Sequence, residues 1–299
     1  VTTETVAGGA ASGSGIAQSI PAMPGISGMA RLDDARFIVV QDKKAFESGY
    51  RLGLVELDRQ APSIRYVPMP FPATSGGRTS DLESACRLQG RAGEFLLAES
   101  GYWRGDYGRI FHVAIDGTTA RLQRQLQLPR IRDNSDTQPD GDNFEGMACL
   151  AYDASSYLIL MGERGGTARY PDGVIRWGFY DAEIGSLTWS LNEVPVAAPN
   201  PWRDPEFRSI ASLSIDANNQ LWATATSDRG DVGPFRSLMY LVGTVTPNPA
   251  MPVSLADKRQ PRRIDGYKVE GLVMGSQDEP PVIGTEDEEL GGTWRELTP

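Results

Sequence analysis

The chain is poor in cysteine, histidine and positive charge, and it has no long apolar run. Cys86 and Cys149 are the only cysteines, and neither belongs to a C-x-x-C pair, so a thiolate zinc site is excluded by count. A disulfide between them is possible but not implied. His112 is the sole histidine and lies between Phe111 and Val113 in a strand-like run, where a packing role is expected. A serine or cysteine triad therefore lacks an evident base, and any chemistry must rest on carboxylates, metal-activated water, or Arg and Lys. No stretch of about 18 apolar residues exists to span a membrane as a helix. The first residues lack the basic-then-apolar order of a signal peptide, and 1–19 read as a mature N-terminus left after processing, hence an expected secreted or periplasmic location. With 29 Lys and Arg against 39 Asp and Glu, the net charge of −10 repels a phosphate backbone and excludes nucleic acid as a general partner.

What the chain does have is glycine (33) and proline (21) spread along its length, with 40% apolar residues, a composition suited to many short strands joined by turns. Five segments repeat: Ile26-Ser27-Gly28-Met29, Leu82-Glu83-Ser84-Ala85, Phe144-Glu145-Gly146-Met147, Arg208-Ser209-Ile210-Ala211 and Val269-Glu270-Gly271-Leu272. They recur about every 60 residues, a period that fits a four-stranded propeller blade with generous loops. Each is followed by an apolar run ending in an acid: Asp42, Glu99, Glu163, Asp228, and Glu286 or Asp287. The expected fold is all-β, a five-bladed propeller forming one domain over 1–299. The last blade has room for only three strands before Pro299, so a strand from the N-terminal segment is expected to complete it and close the ring.

The first strand of a blade lines the central channel, and alternate side chains point into it. Glu83, Glu145 and Glu270 would then converge, and like charges so close require a counter-charge. Ser27, and Ser209 or Ser212, would add neutral oxygens, giving the hard donor set that calcium prefers. The acids ending the second strands, Glu99, Glu163 and Asp228 foremost, would ring one mouth as candidate catalytic groups. Arg104, Arg164 and Arg229 beside them would hold an anionic substrate.

The motifs Asp81-Leu82-Glu83, Leu97-Ala98-Glu99-Ser100, Asn143-Phe144-Glu145-Gly146-Met147, Met161-Gly162-Glu163-Arg164 and Lys268-Val269-Glu270-Gly271-Leu272 resemble the bacterial family named for an esterase-like activity of phytase. Leu82-Glu83-Ser84-Ala85-Cys86, Val269-Glu270-Gly271 and Arg208-Ser209-Ile210-Ala211-Ser212 are more distantly similar to five-bladed calcium-activated nucleotidases of the apyrase type. The resemblance implies an axial calcium and hydrolysis of phosphate esters or anhydrides, with a small phosphate-bearing substrate. Two other readings fit the same residues: a non-catalytic calcium-stapled propeller that binds a protein or glycan, and a glycoside hydrolase using two carboxylates. Oligomeric state is left open by the sequence.

Overall fold

A computed structural model describes residues 17–18, 23–58, 60, 63–103, 106–132, 142–227, 229–257, 261–276 and 279–297. Five antiparallel sheets are arranged as the blades of a propeller. Blade one comprises Gly28–Arg31, Arg36–Val40, Leu52–Asp58 and Ser63–Met69. Blade two comprises Leu82–Arg87, Glu94–Glu99, Arg109–Asp116 and Thr119–Gln127. Blade three comprises Phe144–Ala151, Ser156–Glu163, Gly173–Asp181 and Ser186–Val196. In blade four, Phe207–Ile215, Gln220–Ser227 and Arg236–Val245 are followed by Val253–Leu255 and Arg262–Asp265, which both pair with the third strand.

Blade five draws Val269–Val273, Val282–Thr285 and Trp294–Glu296 from the C-terminal end and Ala17–Gln18 from the N-terminal end. Ala17 pairs with Arg295 and Gln18 with Trp294, so the expected closing strand is present and covers an otherwise open sheet edge. Each inner strand lies against the inner strands of both neighbouring blades, which completes the ring. Apolar side chains fill the spaces between blades, as where Leu158, Leu160, Ile175 and Trp177 of blade three meet Ile210, Leu213 and Ala225 of blade four.

Two features of the inner strands set up the site. The first is a slip in strand register at each repeated glutamate: between Leu82 and Ser84, Phe144 and Gly146, and Val269 and Gly271. A bulge of this kind bends the strand and re-aims the extra side chain, here Glu83, Glu145 or Glu270, out of the sheet. The second is the small residue that follows. A Cβ added at Gly28 would lie 2.6 Å from the Glu83 carbonyl oxygen and 2.6 Å from the Ser84 Cα, so only glycine lets the inner strands of blades one and two approach this closely. Farther along the channel, the Cys86 and Cys149 side chains form a disulfide joining the inner strands of blades two and three. That resolves the pairing the sequence left open.

Candidate functional site

At the mouth where the inner strands begin, carboxylates gather from four loops and strands. One carboxylate oxygen each of Asp42, Asp81 and Glu83 lies within 4.8 Å of the others. Asp81 has φ 63°, a left-handed conformation that Asp tolerates better than most residues, and its Oδ2 accepts a 2.7 Å hydrogen bond from the Ser100 hydroxyl. Its Oδ1 is paired with the Lys44 ammonium. Asp42 is placed by its backbone N–H, which donates to Ser27 Oγ at 3.1 Å. Ser27 thus presents its hydroxyl beside the cluster, from blade one.

Glu145 and Glu270 extend the cluster across the channel, but with partners of their own. Arg164 Nη1 lies 2.9 Å from Glu145 Oε1, and Arg208 Nη1 is 3.5 Å from Glu145 and 3.7 Å from Glu270. Lys268 Nζ lies 3.2 Å from Glu270 and 3.1 Å from Glu286, and it also pairs with Glu288. Glu83 forms no direct ion pair among the described residues. The second oxygen of Glu145, Oε2, is buried without a hydrogen-bond partner among them. The carboxylates Asp42, Asp81, Glu83, Glu145, Glu270 and Glu286 outnumber the cations Lys44, Arg164, Arg208 and Lys268 that pair with them.

The electrostatics follow from that surplus in a confined site. Burial, then the charges of Asp81, Asp42, Glu270 and Glu145, hold the Glu83 carboxyl well above the ordinary range. Asp42 is pushed up to about 7 by burial and by Glu286. Glu286 is pushed up to about 9 by burial and by Glu270, with which it shares a hydrogen bond. Burial works against the Lys268 ammonium, yet Glu270 and Glu286 hold its pKa above that of an ordinary lysine.

Several residues singled out from sequence lie elsewhere. Glu99 is fully buried and accepts from the backbone N–H of Ser80 (2.9 Å) and of Arg109 (2.9 Å), while the Arg109 guanidinium donates to both of its oxygens. Glu163 is buried between Arg132 Nη1 (2.8 Å) and Arg176 Nη2 (3.3 Å). Neither is at the channel mouth. The reason is strand alternation: Glu99 pairs with Leu82, Glu163 with Phe144, Ser227 with Phe207 and Thr285 with Val269, so these equivalent residues point between blades. The following residues, Ser100, Arg164 and Glu286, reach the mouth. Asp42 occupies that position in blade one, one residue out of phase with Glu99. Asp228 and Arg104 fall outside the described residues. Arg229 Nε donates to Asp204 at 3.0 Å, away from the axis, whereas Arg164 is at it.

Blade four also departs from expectation. Phe207, not Arg208, is the counterpart of Leu82 and Phe144, and Arg208 therefore occupies the place of the repeated glutamate. Ser209 Oγ instead accepts from Ala198 N–H at 3.2 Å, and Ser212 sits farther along, opposite Thr224. The apolar phase of Phe207 was the available signal. His112 is buried, with Nδ1 2.7 Å from the Tyr180 hydroxyl and Nε2 2.8 Å from Glu94. It lies in the third strand of blade two, remote from the channel mouth.

No protein-family model matches the chain, and no curated protein matches it in sequence. Among solved structures, it is similar to a thermostable family-43 glycoside hydrolase, at 8% identity and TM-score 0.49, over 94% of this chain and 91% of that one. A Thermus thermophilus protein described as a putative oxidoreductase (glucose dehydrogenase) aligns at 12% identity and TM-score 0.43 over 93% of this chain and 98% of that one. A Lactobacillus plantarum protein aligns at 14% identity and TM-score 0.40 over 89% and 68%. At this level the likenesses carry no argument about activity.

Proposed function

We propose that the acidic mouth binds a divalent cation, calcium by the chemistry of its donors, and that the protein is a calcium-dependent hydrolase of phosphate esters or anhydrides. The observation that carries this reading is the convergence of Asp42, Asp81 and Glu83 oxygens within 4.8 Å. The donors are all oxygen, with no thiol or imidazole to select a softer metal. The Ser27 hydroxyl adds an oxygen beside this cluster, and the unpartnered Glu145 Oε2 adds another from blade three. Arg208 supplies a positive charge between Glu145 and Glu270, so the ion belongs off the axis, toward blades one and two, rather than among all three repeated glutamates.

In this reading a bound calcium ion supplies the positive charge that polarises a phosphoryl oxygen and stabilises developing negative charge. Asp42, Asp81 and Glu83 hold the ion. Arg164 and Lys44, at the rim, orient the remaining phosphate oxygens. Before a cation binds, Glu286, hydrogen-bonded to Glu270, carries a proton on its carboxyl at neutral pH, within the same mouth. The motifs that resemble the esterase-like phytase family and the apyrase-type nucleotidases favour the same substrate class. The Cys86–Cys149 disulfide supports an oxidising compartment, secreted or periplasmic.

One observation favours a second reading, in which calcium only staples the ring: Glu99 and Glu163 are buried in ion pairs and offer no catalytic acid. The two readings separate in one assay. Turnover of p-nitrophenyl phosphate or a nucleoside triphosphate that needs calcium and disappears with a chelator supports the hydrolase. Calcium-dependent stabilisation without turnover over that panel supports the staple.

A further inference from the structure

On the same face as the acidic mouth, a separate cavity of about 530 Å³ opens between blades four and five, of a size that suits a small ligand. The loop joining the second and third strands of blade four walls one side, and the segment around Leu290 walls the other. Two guanidiniums converge there on one indole: Arg263 Cζ lies 5.0 Å and Arg236 Cζ 5.8 Å from the Trp202 ring centroid. Trp202 is in turn held by Phe207, ring centroids 5.7 Å apart. Neither Arg236 nor Arg263 is ion-paired with a carboxylate among the described residues, although the protein as a whole carries a net charge of −10. Asp265 lines the cavity too, leaving two guanidiniums against one carboxylate. The rest of the wall is apolar, with Phe235 buried beneath and Leu290 72% exposed.

Paired guanidiniums fixed by an aromatic face match the geometry of carboxylate and phosphate oxygens, and their attraction to the ring lowers the freedom lost on binding. Val232 and Leu290, both largely exposed on the cavity wall, match a ligand with an apolar body. We propose that this cavity is a binding site for a small organic anion with a flat apolar body, an aryl phosphate or aryl carboxylate. Arg236 and Arg263 take the anionic group and the Phe235–Leu290 wall takes the body. The proposal stands apart from the cation at the acidic mouth.

The test is calorimetric titration with 1-naphthyl phosphate, 1-naphthoate and uncharged 1-naphthol, in a chelator so that no cation at the acidic mouth contributes and the ester is not turned over. Saturable binding of one or both anions, at least tenfold tighter than naphthol and weakened by salt, is expected. Preference between the two anions tells which anionic group the site takes. The Arg236→Gln, Arg263→Gln double variant should lose at least tenfold in affinity. Should that variant fold poorly, Arg263→Gln alone, at an exposed side chain, should show a smaller loss with an unchanged melting temperature. Equal affinity for naphthol, retained affinity in the variants, or no saturable binding up to about 10 mM probe would each overturn the proposal.

Discussion

Replacing Glu99 by Gln removes one charge from a fully buried pair and leaves the Arg109 guanidinium facing an amide. Arg109 keeps hydrogen bonds to the carbonyls of Ser75 (2.9 Å) and Arg78 (2.9 Å), but these do not neutralise it. Breaking a buried pair by removing one partner destabilises by about 3–5 kcal/mol, and the remaining carbonyl contacts place this site near the lower end. With an unfolding entropy of about 2.1 cal/mol/K per residue over 299 residues, a loss of about 3 kcal/mol lowers the melting temperature by about 5 °C. Circular dichroism melts of the wild type and Glu99→Gln read this directly, with calcium-dependent turnover measured on the same samples well below the transition. The structural role predicts a lower melting temperature with any turnover retained. An unchanged melting temperature with turnover abolished would return Glu99 to the catalytic role that its sequence context suggests.

Other outcomes follow from the same geometry. Arg208→Gln removes a cation that contacts both Glu145 and Glu270, so calcium affinity should rise about tenfold by calorimetry; weaker binding would mean that Arg208 organises the site instead of competing for it. Asp42 at about 7 and Glu286 at about 9 bind protons in the folded protein that the unfolded chain has already released. Cation-free stability should therefore fall as pH rises from about 4 toward 9. Calcium should flatten that slope, and a stability that rises with pH in chelator would contradict it. Converting Cys86 and Cys149 to Ser opens a loop spanning 63 residues and should cost about 4 kcal/mol in a denaturant titration; no loss would show that the neighbouring strands already fix the ring.

The fold was legible because the repeat is written in apolar residues: Phe144, Leu82 and Val269 begin inner strands in equivalent places, and the second strands follow at matching intervals. The partnership of the two ends was legible too, from the missing fourth strand of blade five. The site was harder to read. The bulge at each repeated Glu changes which neighbour faces the axis, and a sequence scanned for acids at strand ends does not separate Glu99 and Glu163 from Asp42 and Glu286, one residue farther on. In blade four the register slips over a longer stretch, between Arg208 and Ser212, which hides Arg208 in the glutamate position. Asp81 was visible only as part of a motif, because its role comes from a left-handed turn that brings it to Asp42 and Glu83. The disulfide depends on two inner strands from different blades being adjacent, which two isolated cysteines do not encode.

The most direct test of the account is a calcium titration of the melting temperature, run on the wild type, Glu83→Gln and Glu99→Gln after exhaustive chelation. A ligand that binds only the folded state adds about 2.7 kcal/mol at a hundred times its dissociation constant, or about 4 °C for a chain of this length. The account predicts a saturating increase of that size in the wild type and in Glu99→Gln, starting from a lower baseline in the latter, and none in Glu83→Gln. A flat melting temperature across the titration in the wild type, or an equal increase in Glu83→Gln, would contradict it.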